Sequence, residues 1–112
     1  MNNYKQGRVN EEVKRALSNI IREIKDPRVP SLISVAAAKV SADLKYATIY
    51  VSVLGTYDEK ELMKGLKAAK GFLRKRLGEV MQMRAVPELT FEIDRSAETG
   101  ARINELLKGL DK

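Results

Sequence analysis

The spacing of apolar residues changes several times along this 112-residue chain, and the order of these changes is the strongest constraint on its fold. Spacings of three and four over about 10–25 predict an amphipathic helix, with Asn10 as its N-terminal cap and Pro27 just beyond its end. Alternating apolar residues over about 33–40 and 46–54 then predict two strands. The few residues between them favour an antiparallel hairpin.

The second half repeats the change from helical to alternating spacing. Asp58 is a suitable cap for a helix whose apolar stripe runs from Leu62 to Val80, and Gly71 in its middle predicts either a bend or two abutting helices. Alternation over 89–93 predicts a third strand, which can pair with either strand of the hairpin. A short amphipathic helix is expected over about 101–110.

This order of elements predicts an α+β fold of two layers, with helices on one face of a three-stranded sheet, because each striped helix and each alternating strand must bury one side. We expect a single domain over residues 1–112, with a core over about 6–95. The chain has no apolar run of the roughly 20 residues that cross a bilayer and no signal-peptide pattern, which favours a cytoplasmic protein.

The composition argues against an enzyme. The chain contains neither histidine nor cysteine, which excludes thiolate metal sites and any nucleophile activated by histidine. An enzyme working with carboxylates alone ranks last, because no spacing of the Asp and Glu residues indicates a converging pair. We therefore expect no catalytic residues, no metal and no cofactor.

The net charge of +6 is concentrated in one segment of the chain. Residues 67–84 carry six basic groups and one acidic group, Glu79. Segregated positive charge attracts an anionic partner, and nucleic acid is the first one to consider for a pI of about 9.7. The alternatives are a solvated helix face chosen for solubility and a protein-interaction module that binds an acidic protein without RNA.

A second basic edge is predicted near the N-terminus, where Arg8, Arg15 and Arg22 recur every seven residues and Arg28 follows Pro27. Nearby acidic residues favour surface ion pairs as the simpler explanation of this edge. The candidate RNA-binding residues are Lys67, Lys70, Arg74, Lys75, Arg76 and Arg84, together with Arg8, Arg15 and Arg28.

Several short motifs occur in a fixed order along nearly the whole chain. They are Arg8-Val9, Ile20-Ile21, Asp26-Pro27-Arg28, Ser41-Ala42-Asp43-Leu44, Ala47-Thr48-Ile49-Tyr50-Val51-Ser52, Gly55, Gly71-Phe72-Leu73-Arg74, Leu77, and Arg84-Ala85-Val86-Pro87-Glu88-Leu89-Thr90-Phe91 with Asp94. In this order the motifs resemble those of the ribosome-binding factor A family.

The resemblance implies a type II KH-like fold, whose helix-strand-strand-helix-kink-helix-strand order agrees with the order predicted from periodicity. KH domains clamp nucleic acid with a Gly-x-x-Gly loop. This chain has none, and Ala69-Lys70-Gly71 matches the Ala-x-Gly kink that replaces the loop in the family.

The resemblance further implies a non-catalytic factor that binds the free small (30S) ribosomal subunit and assists late folding and processing of its 16S ribosomal RNA. Ribosomal proteins and other assembly factors are further expected partners. The family is often tied to growth in the cold, and we expect a monomer.

Overall fold

Two helices cover one face of a three-stranded sheet in the computed structural model, which describes residues 3–95. The α+β fold predicted from the sequence is confirmed. In chain order the elements are α1 (Asn3–Ile20), a 3₁₀ turn (Ile21–Glu23), β1 (Ile33–Val40), β2 (Tyr46–Val53), α2 (Glu59–Met81) and β3 (Glu88–Ile93).

The sheet has the order β1-β2-β3. Strands β1 and β2 are antiparallel, from the pair Ile33 and Val53 to the pair Val40 and Ala47. Strand β3 lies parallel to β2, and this pairing decides between the two partners that the sequence allowed. A parallel neighbour requires a crossover connection, and α2 supplies it while covering the sheet.

The connection from β1 to β2 is a hairpin, as predicted. The Asp43 carboxylate accepts hydrogen bonds from the Ser41 hydroxyl (2.6 Å) and the Lys45 backbone N–H (3.0 Å). Leu44 has a φ of 62°, a left-handed conformation that such a tight connection requires.

The first helix begins earlier than predicted, and Asn10 is not its cap. Asn10 lies well inside α1, where its side-chain oxygen accepts a hydrogen bond from the Val40 backbone N–H (2.9 Å). The Gln6 side-chain amide donates to the Val40 carbonyl. Asn10 and Gln6 thus pair both backbone polar groups of Val40, at the end of β1. The asparagine that the sequence predicted as a helix cap instead fastens α1 to β1.

The second helix begins where the sequence predicts and is continuous. The Asp58 carboxylate accepts a hydrogen bond from the Glu61 backbone N–H (3.1 Å), and the helix ends at Gln82 with a φ of 53°. The helix runs through Gly71, so the two abutting helices that glycine suggested are not observed. Val80 ends the predicted apolar stripe but is 51% exposed, because it lies beyond the part of α2 that covers the sheet.

One hydrophobic core lies between the helices and the sheet. Its buried members are Val13, Ala16, Leu17, Ile20, Ile21, Ile33, Val35, Ala38, Val40, Ala47, Ile49, Val51, Leu62, Leu66, Leu73, Leu77, Leu89 and Phe91. No helix within residues 3–95 is long and apolar enough to span a membrane. The helix predicted over 101–110 lies outside the described residues.

Candidate nucleic-acid interface

A row of lysines runs along the exposed face of α2. Lys60, Lys64, Lys67 and Lys75 are separated by four, three and eight residues, and Gly71 occupies the position between the last two. At 3.6 residues per turn, these five positions share one side of the helix. We call the four side chains the lysine row; it extends over about 22 Å at 1.5 Å per residue.

Two members of the lysine row, Lys60 and Lys64, were missed by the sequence analysis. The charge count there began at Lys67, because the acids Glu59 and Glu61 balance the two earlier lysines in a linear window. A helical projection beginning at the Asp58 cap would have placed all four on one face. Within the described residues only Lys64 of the row has an acidic partner, with its Nζ 3.9 Å from a Glu61 carboxylate oxygen.

Among the nine predicted RNA-binding residues, four have side chains without an ion pair or hydrogen bond to another described residue: Lys67, Lys70, Lys75 and Arg84. Lys67, Lys75 and Arg84 are exposed, whereas Lys70 is half-buried on the flank of α2. Neutralising a phosphate with any of these four would break no contact within the described part of the chain.

Arg74 is engaged by the protein backbone. Its Nη2 donates to the Val86 carbonyl (2.9 Å) and its Nε donates to the Pro87 carbonyl (3.1 Å). These bonds fasten the loop that leads from α2 into β3. The planar guanidinium suits this task, because it presents several donors in a fixed geometry.

Arg76 joins α2 to the turn after α1. Its guanidinium donates to both oxygens of Glu23 (2.9 and 3.0 Å) and to Glu79 (2.9 Å). Hydrogen bonding to Glu23 and Glu79 raises the pKa of Arg76, and the same bond from Arg76 lowers the pKa of Glu23. Arg76 is thus a bridge between two elements.

The second basic edge is paired as well. Arg28 donates to both carboxylate oxygens of Asp26, the shorter contact being 2.6 Å, and these hydrogen bonds lower the pKa of Asp26 to about 2. Arg8 lies 3.3 Å from Glu12 and Arg15 lies 4.0 Å from Glu11, on exposed surface. Exposed pairs of this kind contribute about 0–1 kcal/mol, so a phosphate competes with them easily.

The three glycines of α2 have different surroundings. A Cβ at Gly65 would lie 2.8 Å from a methyl of Val29, and one at Gly78 would lie 2.8 Å from a methyl of Val86, so both allow close packing. A Cβ at Gly71 would meet nothing within 4 Å, and its φ is not positive. Within the described structure, neither packing nor backbone conformation accounts for Gly71.

No group of three or more potential metal-ligating side chains occurs among the described residues. The described surface of α2 offers an extended set of cations. Such a surface can bind a polyanion through several phosphates, each contact contributing a salt-sensitive increment of affinity.

Comparison with known proteins agrees with the resemblance drawn from the motifs. The sequence model of the family described as ribosome-binding factor A matches residues 5–107. A ribosome-binding factor A of Caldanaerobacter subterraneus is 45% identical over 111 residues, which cover 97% of this chain and 91% of the relative. One of Clostridium botulinum is 50% identical over 111 residues, with 96% of each chain covered.

Solved structures show the same likeness. The crystal structure of ribosome-binding factor A from Thermus thermophilus superposes with a TM-score of 0.72 at 28% identity, covering 81% of this chain and 98% of that one. A homology model of the Thermus thermophilus factor, fitted into the cryo-EM map of a complex of 30S with ribosome-binding factor A, gives a TM-score of 0.67 at 30% identity, covering 77% of this chain and 91% of that one.

Proposed function

The chain belongs to the ribosome-binding factor A family, and on this premise we propose that it binds the free small ribosomal subunit and assists late folding and processing of 16S ribosomal RNA. The Thermus thermophilus relative seen in complex with 30S supports the choice of subunit. The observation that carries the proposal for this chain is the lysine row on α2.

The lysine row has the charge pattern of a phosphate-binding surface. The two nearest acids of α2 on that side, Glu61 and Glu79, project beside the row and not within it, by their positions on the helix. A face that serves only solubility usually mixes both signs of charge. Lys70 and Arg84 extend the same positive surface toward the loop before β3.

In the proposed mechanism the lysines neutralise phosphates while Gly71 lets the RNA backbone approach α2. The family resemblance implies that Ala69-Lys70-Gly71 takes the place of the Gly-x-x-Gly loop of KH domains, so the proposed contact uses a helix face where those domains use a loop clamp. Arg74 and Arg76 hold this face to the rest of the domain. Arg8, Arg15 and Arg28 add weaker contacts at the second edge once their acidic partners are displaced.

We propose that the protein acts without catalysis, in the cytoplasm and as a monomer. Sequence specificity then comes from the shape of the folded RNA and from neighbouring ribosomal proteins, because stacking aromatics are few. A role in growth in the cold stays a prediction from the family resemblance.

The test is co-sedimentation of the protein with free small subunits, large subunits and whole ribosomes at two salt concentrations. We expect selective binding to free small subunits that weakens as salt rises. The double variant Lys67→Glu with Lys75→Glu should weaken binding and reduce the log–log salt slope by about 1.4–1.8, for two lost phosphate contacts.

The matched control is Lys39→Glu with Lys45→Glu, which changes the net charge equally but lies on the hairpin, in β1 and the turn after it. Equal losses of affinity in the two double variants would show that binding depends on the net positive charge and not on the position of the lysines. Unchanged binding in the α2 variant, with an intact circular dichroism spectrum, would contradict the proposed face. Binding only to an acidic, RNA-free protein would favour the protein-interaction alternative.

A further inference from the structure

An apolar groove lies beside the lysine row, between α2 and the segment that follows α1. It has a volume of about 470 Å³, and Ile24, Ala68, Ala69 and Phe72 form its apolar surface. Phe72 is 42% exposed, which leaves a large part of its aromatic ring open to a ligand. The two alanines beside it are too small to cover the ring.

The polar rim of the groove has no free acid among the described residues. Glu23 is bound by Arg76 and Asp26 is bound by Arg28, so both carboxylates already have cationic partners. Lys25 stands on the same rim, without an ion pair in the described part of the chain. The groove therefore offers an apolar floor, and Lys25 is the charged residue of its rim that has no ion pair in the described part of the chain.

The lysine row flanks this floor at both ends. Lys64 precedes Ala68 by four residues, one helical turn, and Lys75 follows Phe72 by three. Gly71, the position within the row that precedes Phe72 in the chain, carries no side chain. A strand whose phosphates follow the lysines would thus present its bases toward the ring.

We infer that the groove beside Phe72 holds one unstacked base of the RNA, an inference that rests on the proposed function. Any base can stack on an aromatic side chain, and cations on either side hold the flanking phosphates. Charge favours this occupant over an apolar segment of a protein, because an apolar segment would leave Lys25 and Lys75, which have no ion pair in the described part of the chain, without anions.

The first experiment compares Phe72→Ala with Val80→Ala, which truncates another exposed apolar residue of α2. Affinity is measured for a short single-stranded RNA and for an RNA of the same length made of abasic nucleotides, which keeps the phosphates and lacks the bases. We expect Phe72→Ala to weaken binding of the base-containing RNA about five- to tenfold and to leave binding of the abasic RNA unchanged. This loss is the lower part of the range for one base stacked on an aromatic side chain. Val80→Ala should change neither affinity.

The second experiment uses Phe72→Trp, which introduces the chain's only tryptophan. Base-containing RNA should quench its fluorescence, and abasic RNA should not. In the Phe72→Ala variant, an equal loss of affinity for both RNAs would overturn the inference. Weaker binding to subunits, without any preference of the protein for base-containing RNA, would also overturn it and would indicate a protein in the groove. If the wild-type protein binds neither subunits nor RNA, the proposed function is wrong. If the lysine variants weaken binding and Phe72→Ala does not, only the inference about the groove is wrong.

Discussion

The substitution Gly71→Ala separates stability from binding. Glycine in a helix interior costs about 1 kcal/mol relative to alanine, and a Cβ at this position would meet nothing within 4 Å. We therefore expect the variant to be more stable by up to about 1 kcal/mol, which raises the melting temperature by about 4–8 °C for a domain of this size.

The same methyl group should weaken binding to free small subunits. It projects from the lysine row where the proposed RNA backbone approaches α2, and overfilling a close contact costs about 1–3 kcal/mol. The lower figure corresponds to about fivefold weaker affinity. Thermal unfolding followed by circular dichroism and co-sedimentation with small subunits measure the two effects on one preparation.

Gly7→Ala is the matched control, because Gly7 is a helical glycine of α1 at which an added methyl group would also meet nothing within 4 Å. It should gain similar stability and keep full affinity. A Gly71→Ala protein that is more stable and binds as well as wild type would refute the role of Gly71 in contact with RNA. A destabilised variant would refute the continuous, unstrained helix.

Three further predictions concern the contacts that hold the proposed face in place. Gly65→Ala should destabilise the fold by about 1–3 kcal/mol in urea unfolding, because its methyl would lie 2.8 Å from Val29. Arg74→Met removes two hydrogen bonds to backbone carbonyls and should cost about 1.5–3 kcal/mol by the same measurement, with no such loss in Lys75→Met. Because the pKa of Asp26 is lowered in the folded protein, its bond to Arg28 stabilises the fold fully above about pH 5, and this stabilisation is lost as the pH falls toward 2. The melting temperatures of wild type and Asp26→Asn should therefore differ above about pH 5 and converge as the pH falls toward 2.

Most of the fold was predictable because its elements have regular apolar spacing. The hairpin, the Asp58 cap and the third strand all appear close to their predicted places. The parallel pairing of β3 with β2 could not be predicted, since both hairpin strands present the same alternation and only the packing of α2 decides between them. The prediction that Asn10 caps the first helix was wrong, because the sequence does not distinguish an asparagine that caps a helix from one that binds a neighbouring strand.

The candidate site was less predictable than the fold. Counting charge along the chain found the basic segment but treated arginines held by the protein, such as Arg74 and Arg76, like free lysines. Which partner a guanidinium takes depends on tertiary contacts from distant segments, the loop before β3 and the turn after α1. Periodicity within α2, in contrast, would have revealed Lys60 and Lys64 from the sequence alone.

The different roles of arginine and lysine in α2 suit the proposed function, reversible binding to RNA. The planar guanidinium groups of Arg74 and Arg76 each donate several hydrogen bonds in a fixed geometry within the domain. The outward cations of the lysine row are point charges on flexible side chains, which in the proposed function would bind phosphate through counterion release and with little geometric demand. Replacing the row by arginines would add bidentate phosphate contacts, so we expect slower dissociation from small subunits together with unchanged stability. A row of arginines that dissociates as fast as the lysines would show that release is governed by the RNA and not by this face.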